Sequence, residues 1–393
     1  MTDIRRFSLR SPLFRSLALI AAPALTAAFL AAGPAAADWA VFRGDAALTG
    51  TADDPLPANL QPAWTFEAGA GIESTAAVVD GVVYVGSLDE NLYALDLATG
   101  KERFRFQAKG EVKSSPSVRD GVVYFGDEGG FFHAVDAKTG KALWSFETDG
   151  GVTSSASFFP RGSDGGKDGK GGTGVLFGSY DGFLYALDAK TGEELWELET
   201  DGYVHATPAI ADGRTYVAGC DTYFRAVSLA DGSEVGKVSL EGYAAASPAI
   251  LGDRAYVGTF ENQFHAVDLK AMKLAWTFED PERKFPFYAS AAASSKAVVI
   301  GGRDKMVRAL DPKTGKELWS HATRARVDAS PVIAGDRVIA GSKSGVLYVL
   351  GLADGKVLWE FDTGSALIAS PAVADGHLVI GTEDGLLYAF RGK

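Results

Sequence analysis

One phrase recurs along this chain and restricts it to a repeat architecture. Leu184-Tyr-Ala-Leu-Asp-Ala-Lys-Thr-Gly-Glu-Glu-Leu-Trp196 reads as strand, tight turn, strand. Tyr185 and Leu187 alternate with their neighbours at a period of two, Asp188 and Thr191-Gly192 supply turn chemistry, and Leu195-Trp196 opens a second apolar run. The phrase returns as Ala134 to Gly140 with Trp144, Ala309 to Gly315 with Trp319, and Leu352 to Gly355 with Trp359. From Gly71 onward the chain aligns to itself, with units starting at Gly71, Glu111, Gly151, Tyr203, Tyr243, Phe287, Arg326 and Ala366 and an ordinary spacing of 40 residues. Each unit carries four strand signals; in the second they lie at 113–118, 121–126, 131–136 and 142–146. Four short antiparallel strands in about 40 residues make the blade of a β-propeller.

The last unit has three strand signals and no fourth, while Ala63-Trp64-Thr65-Phe66-Glu67 stands ahead of the first unit as an orphan outer strand. Joining the two satisfies edges that would otherwise be open, so the expected fold is all-β: an eight-bladed propeller spanning 60–393, its ring closed by an N-terminal strand in the C-terminal blade. The insertion 160–174, rich in glycine and lysine, is expected to be a flexible loop between the first two strands of its blade, because no glycine has the phosphate-loop spacing.

Ahead of the propeller, residues 1–37 read as a signal peptide. Arg5, Arg6, Arg10 and Arg15 precede an apolar run from Leu17 to Ala32, and Ala35-Ala36-Ala37 resembles a cleavage site. The run falls short of the roughly 18 to 20 residues that span a bilayer. The expected product is periplasmic or otherwise exported and lacks a transmembrane segment after cleavage; the Arg5-Arg6 pair leaves the general and twin-arginine export routes both open. Residues 38–59 are a lead-in segment, with Arg43-Gly44-Asp45 expected to be ordered structure rather than an adhesion tripeptide.

Formal charge is −12, and removing the four arginines and one aspartate of 1–37 makes it −15. Such a surface repels phosphate backbones, which excludes nucleic acid as an expected partner. The single cysteine, Cys220, forms no internal disulfide and reads as a small buried residue.

The aromatic residue four places past each turn glycine is Trp144, Trp196, Trp319 or Trp359; Trp64 and Trp276 hold the same place without the full phrase, and Phe104 substitutes in the first unit. Wide indoles on the outer strand are expected to dock on neighbouring blades. The fourth unit departs from the pattern, with Ser228 for Asp and Gly236 for Trp, so its seam is expected to be the loosest.

These tandem Ala-x-Asp-x-x-Thr-Gly-x-x-x-Trp phrases resemble the tryptophan-docking repeats of pyrroloquinoline quinone (PQQ) propellers over nearly all of 60–393. That resemblance implies one of two functions. In the BamB-like branch the propeller is a non-catalytic scaffold of outer-membrane β-barrel assembly, contacting envelope proteins, without cofactor and expected as a monomer. In the quinoprotein branch it is a dehydrogenase oxidising an alcohol or sugar with PQQ and calcium at the axis. The family's vicinal cysteine pair cannot be made from Cys220 alone, and size and regularity favour the scaffold. The absent lipobox cysteine departs from the usual lipoprotein form of that branch and puts membership of the assembly machine in doubt.

One aligned column varies where its neighbours are uniform: Glu73, Lys113, Thr153, His205, Ala245, Ala289, Asp328 and Ile368. First strands line a propeller's channel, so Glu73, Lys113, Thr153, His205 and Asp328 are the candidate axial pocket. Glu73 and Asp328 are weak metal candidates, with His205 as a further cation or polar-ligand contact. No Ser/His/Asp set or paired carboxylates mark a catalytic residue, and no aromatic signature marks sugar recognition at the channel mouth.

Overall fold

In this computed structural model, residues 38–53, 56–162 and 171–393 are described. The expected leader 1–37 lies outside them. Eight four-stranded antiparallel sheets follow in order: 77–107, 117–147, 157–199, 209–239, 249–279, 292–322, 332–362, and 372–392 completed by Leu60–Glu67. They are blades 1 to 8 of a β-propeller. Leu60–Glu67 pairs antiparallel with Leu386–Gly392, Trp64 opposite Ala389, which closes the ring.

The middle strands of each blade are buried on both faces, as Val82–Gly86 and Asn91–Asp96 illustrate, whereas fourth strands such as Glu102–Gln107 alternate exposed and half-buried positions. The core is therefore a ring of seams. Val83, Val85 and Leu95 of blade 1 pack with Leu378 and Ile380 of blade 8, and Phe132 of blade 2 stacks on Phe177 of blade 3 at 3.9 Å.

At the outer seam the indole of one blade lies over the turn glycine of the next. A Cβ on Gly100, Gly232 or Gly315 would sit 2.6 Å from the ring of Trp64, Trp196 or Trp276. Those glycines have φ of 70°, 75° and 71°, so the turn needs them for conformation and for room. The indole N–H donates to a carbonyl in the same turn: Trp64 to Leu97 at 2.7 Å, Trp144 to Ala189 at 3.2 Å, Trp319 to Leu352 at 2.8 Å. In blade 1 Phe104 covers Gly140, and Trp359 meets Phe390 edge-on at 5.5 Å where the closing blade lacks the turn.

The seam expected to be loosest is filled from the other side. Gly236 stands in the indole's place, and the turn it faces carries Met272 where the glycine belongs, at φ 45°. A Cβ on Gly236 would lie 3.0 Å from Met272 Cγ, so the thioether occupies the room vacated by the ring.

One expectation about a loop is corrected, and the ordered lead-in segment takes a definite place. The ends of the 160–174 insertion are strand, Pro160 opposite Thr173 and Arg161 opposite Gly172, because the first hairpin of blade 3 simply runs longer; residues 163–170 lie outside those described. The lead-in segment is a plug. Val118 N–H donates to Ala40, Ile210 to Ala46, Ile250 to Ala47, Ala293 to Thr49 and Ile333 to Gly50, all at 2.7 to 2.9 Å, so residues 38–52 pass along the inner strands of successive blades. Arg43 is 1 % exposed; its guanidinium donates to the carbonyls of Ala291 (3.0 Å), Ser330 (3.3 Å) and Pro331, bridging blades 6 and 7.

The reciprocal exchange at 236 and 272 gives an expected outcome. Met272→Gly alone opens the seam but relieves the positive φ at this half-buried position, for a net cost of about 1 kcal/mol. Gly236→Trp alone overpacks against Met272. The double variant restores the arrangement of the other seams and recovers most of the loss, a coupling read from urea unfolding midpoints of the four proteins.

Candidate functional site

The first strand of each blade enters the channel through a short segment whose residues alternate between wall and lumen. Its deepest ring consists of Thr75, Ser115, Ser155, Thr207, Ser247, Ser290, Ser330 and Ser370, each no more than 6 % exposed. Backbone N–H groups link this ring from blade to blade: Thr75 to Ser115 Oγ (3.0 Å), Ser115 to Ser155 (3.1 Å), Ser155 to Thr207 (3.0 Å), and onward through Ser330 to Ser370 (2.9 Å). Each of these hydroxyls from Ser115 to Ser370 thus accepts a hydrogen bond from the preceding blade.

Two residues nearer the mouth lies the variable column. The pocket, about 440 Å³, is lined by Glu73, Lys113, Thr153, His205, Ala245, Asp328 and Ile368, so these expected positions do come together. The sixth member is Tyr288, not Ala289. Ser247 N–H donates to Ser290 Oγ and Ser290 N–H to Ser330 Oγ, which fixes Ser290 in the hydroxyl ring and Tyr288 two residues before it; Ala289 is buried behind the wall. Blade 6 had been aligned one residue late. Phe42 of the plug also lines the pocket, so the channel is blind at that end.

A second column, missed in the sequence, comes from the loops between second and third strands. Their backbone N–H groups bond to the mouth of the first-strand segment, Glu128 to Glu111 (3.0 Å), Tyr180 to Gly151 (2.9 Å), Phe260 to Tyr243 (2.9 Å) and Arg303 to Pro286 (3.1 Å). This brings Glu128, Tyr180, Cys220, Phe260, Arg303, Lys343 and Glu383 to the mouth. The turn phrases on either side gave no reason to compare these positions.

The walls fall into sectors. On blades 1 and 2, Lys113 Nζ lies 3.1 Å from both Glu111 and Glu128. Glu73 makes no hydrogen bond or ion pair among the described residues. Burial raises its carboxyl pKa above the ordinary value, with Lys113 working against the shift and Glu383 adding to it. On blades 6 and 7, Asp328 is held by Arg303 (2.9 Å) and Arg326 (3.0 Å). Between them runs an aromatic arc. Tyr203 stacks on Tyr180 at 5.2 Å, Tyr180 approaches His205 at 5.7 Å, His205 approaches Tyr288 at 6.3 Å, and Tyr288 meets Phe260 at 5.9 Å. Arg303 covers Tyr288 at 4.5 Å. The mouth therefore carries an aromatic surface not expected from the sequence, because its members come from three different columns of the repeat.

His205 Nδ1 lies 2.6 Å from the Tyr180 hydroxyl and 3.2 Å from Thr153 Oγ1. With Tyr180 donating, the ring proton sits on Nε2, and burial pushes the imidazole pKa down to about 4, so the ring is neutral at physiological pH. Cys220, half-buried at the mouth, has its thiol pushed up by burial and by Asp221.

Among the described residues no three of His, Cys, Asp and Glu come together as a metal site, Asp328 is committed to two arginines, and no tryptophan lines the pocket.

Fold and site together define a PQQ-like propeller with a blind polar funnel at its axis. The profile of the family described as outer membrane protein assembly factor BamB matches residues 57–163, 147–235, 224–326 and 303–393, and the chain belongs to that family. Among solved structures it is similar to BamB from Moraxella catarrhalis, at 18% identity over 85% of this chain and 100% of that one, TM-score 0.69. It is also similar in fold to the quinohemoprotein alcohol dehydrogenase from Comamonas testosteroni, at 17% identity over 91% of this chain and 81% of that one, TM-score 0.76. The computationally designed Ika8 protein also matches, at 20% identity over 84% of this chain and 99% of that one, TM-score 0.70. A search of curated proteins finds no significant match.

The lowered His205 pKa sets a pH dependence. Between the unfolded value near 6.5 and the folded value of about 4, the unfolded chain binds a proton at this site that the folded chain does not. The stability contribution is therefore complete above pH 6.5 and is lost as pH falls toward 4. His205→Gln flattens that dependence by up to about one proton, read from denaturant unfolding at a series of pH values.

Proposed function

We propose that this chain is an exported, non-catalytic propeller scaffold of the cell envelope that holds a protein partner at the funnel rim. Membership of the BamB family supports the class. The observation that carries the reading is the rim itself: Tyr203, Tyr243 and Phe285, from three successive blade segments, are 57%, 54% and 50% exposed at one end of the ring. Exposed aromatics on a rigid support are what a protein interface uses as anchors. The polar groups beneath are largely committed to one another, as in the Lys113 and Asp328 clusters, which gives structure and charge pattern rather than a free acid and base. A surface of net charge −12 favours a partner with a basic face. Among the described residues no helix is long and apolar enough to cross a membrane, so the proposal rests on export and on partner contact.

A photo-crosslinking residue at Tyr243 or Phe285 in living cells is expected to trap one defined envelope protein, and the same residue at Leu143 on an outer strand is expected not to. Equal trapping at all three positions, or dye-linked alcohol oxidation by the purified chain with PQQ and calcium, contradicts the scaffold reading.

A further inference from the structure

We propose that the axial funnel binds the end of a neutral carbohydrate, up to about two sugar rings. This goes beyond the partner reading and does not depend on it.

The unmet hydrogen-bonding capacity of the pocket is of both signs. Glu73 is a carboxylate with no donor bonded to it among the described residues, in a half-buried position whose burial raises its proton affinity. On the floor, Ser115, Ser155, Ser247, Ser290, Ser330 and Ser370 each accept a backbone N–H, yet none of their hydroxyl hydrogens finds an acceptor among the described residues. These side chains are at least nine-tenths buried and face the lumen. Accepting an N–H polarises each hydroxyl as a donor. His205 adds an Nε2–H with no protein partner, its other nitrogen being taken by Tyr180. The ligand must therefore offer acceptors to the floor and donors to Glu73.

Charge narrows the class. A cation satisfies Glu73 but leaves the hydroxyl hydrogens unmet and faces Lys113 and Arg303. An anion meets the hydroxyls but faces Glu73, with Glu383 and Glu111 close enough to raise its pKa. Neutral sugar hydroxyls donate and accept at once, and vicinal pairs match a carboxylate. The aromatic arc supplies the remaining feature: Tyr180 and Tyr288 line the pocket as an aromatic wall for the apolar face of a pyranose, with Tyr203 and Tyr243 exposed at the rim above it. The volume, about 440 Å³, suits one or two rings. Because Phe42 and the plug close the channel, a polymer cannot thread through it, and only a chain end or a free oligosaccharide enters.

Calorimetry with the purified full chain and a panel of glucose, maltose, cellobiose, chitobiose and their trimers and tetramers tests this. At least one disaccharide is expected to bind saturably at millimolar concentration or tighter, with affinity level from dimer to tetramer; continued gain with length marks a groove and overturns the blind-funnel assignment. Tyr288→Ala and Glu73→Gln are each expected to weaken binding about tenfold, with circular dichroism and cooperative unfolding retained. Since Tyr288→Ala also removes the ring that Phe260 and Arg303 pack on, Tyr288→Phe serves as the companion that keeps the ring and retains most of the affinity. Heat from none of the panel at 10 mM (~0.01 M, weaker than any useful site), binding of arginine methyl ester in place of sugar, or sugar binding untouched by both variants overturns the proposal. Rim crosslinking to a protein partner is read separately, so either result stands without the other.

Discussion

No blade of this propeller can hold a core alone. Each sheet is buried on both faces by its neighbours, and the seams, not the sheets, contain the packed residues. Stability is therefore a property of closure. The pairing of Leu60–Glu67 with Leu386–Gly392 turns eight marginal sheets into one ring, and two further devices run across most of the seams. Indoles over turn glycines fasten the outside; serine and threonine hydroxyls accepting the backbone N–H of the preceding blade fasten the inside. The plug adds a third, crossing six blades between Trp39 and Ala52 and fixing Arg43 under blades 6 and 7.

Closure also explains why the mouth is free to vary. Once position 75 and its equivalents hold the ring, position 73 and its equivalents face the lumen and the loops that carry Tyr180, Phe260 and Arg303 lie at its mouth, where cross-blade contacts such as Thr153 with His205 and Arg303 with Asp328 are particular to one seam. Charge, aromatic surface and neutral polar groups have separated there into sectors: acids around blades 8, 1 and 2, rings across blades 3 to 6, arginines on 6 and 7. A symmetric ring thereby acquires one asymmetric end.

Much of this was legible because repetition is itself a signal. The Asp-Ala-Lys-Thr-Gly turns, the distance to Trp196 and its equivalents, and the orphan strand at Trp64 together imply blades, their number and their closure. What failed to read were the places where two departures compensate. Gly236 alone looks like a defect; only contact with Met272 shows the exchange. In blade 6 the phrase Phe287-Tyr288-Ala289-Ser290 lacks the Ser-Pro marker of its neighbours, and alignment slipped by one residue, hiding the tyrosine that joins the arc. The plug was invisible for a different reason: residues 38–52 form almost no regular element of their own, and apart from a few local turn bonds, such as Gly44 N–H to Val41 and Leu48 N–H to Asp45, they are held by strands far along the chain.

The account rests on a division of labour, the uniform positions making the ring and the divergent ones making the site. The most direct measurement levels that divergence: Glu73, Lys113, Thr153, His205, Tyr288 and Asp328 are replaced together by alanine, and disaccharide binding is titrated alongside equilibrium unfolding. The account predicts a single cooperative transition that survives and binding that does not. Loss of the cooperative fold, or binding that persists in the levelled ring, would contradict it.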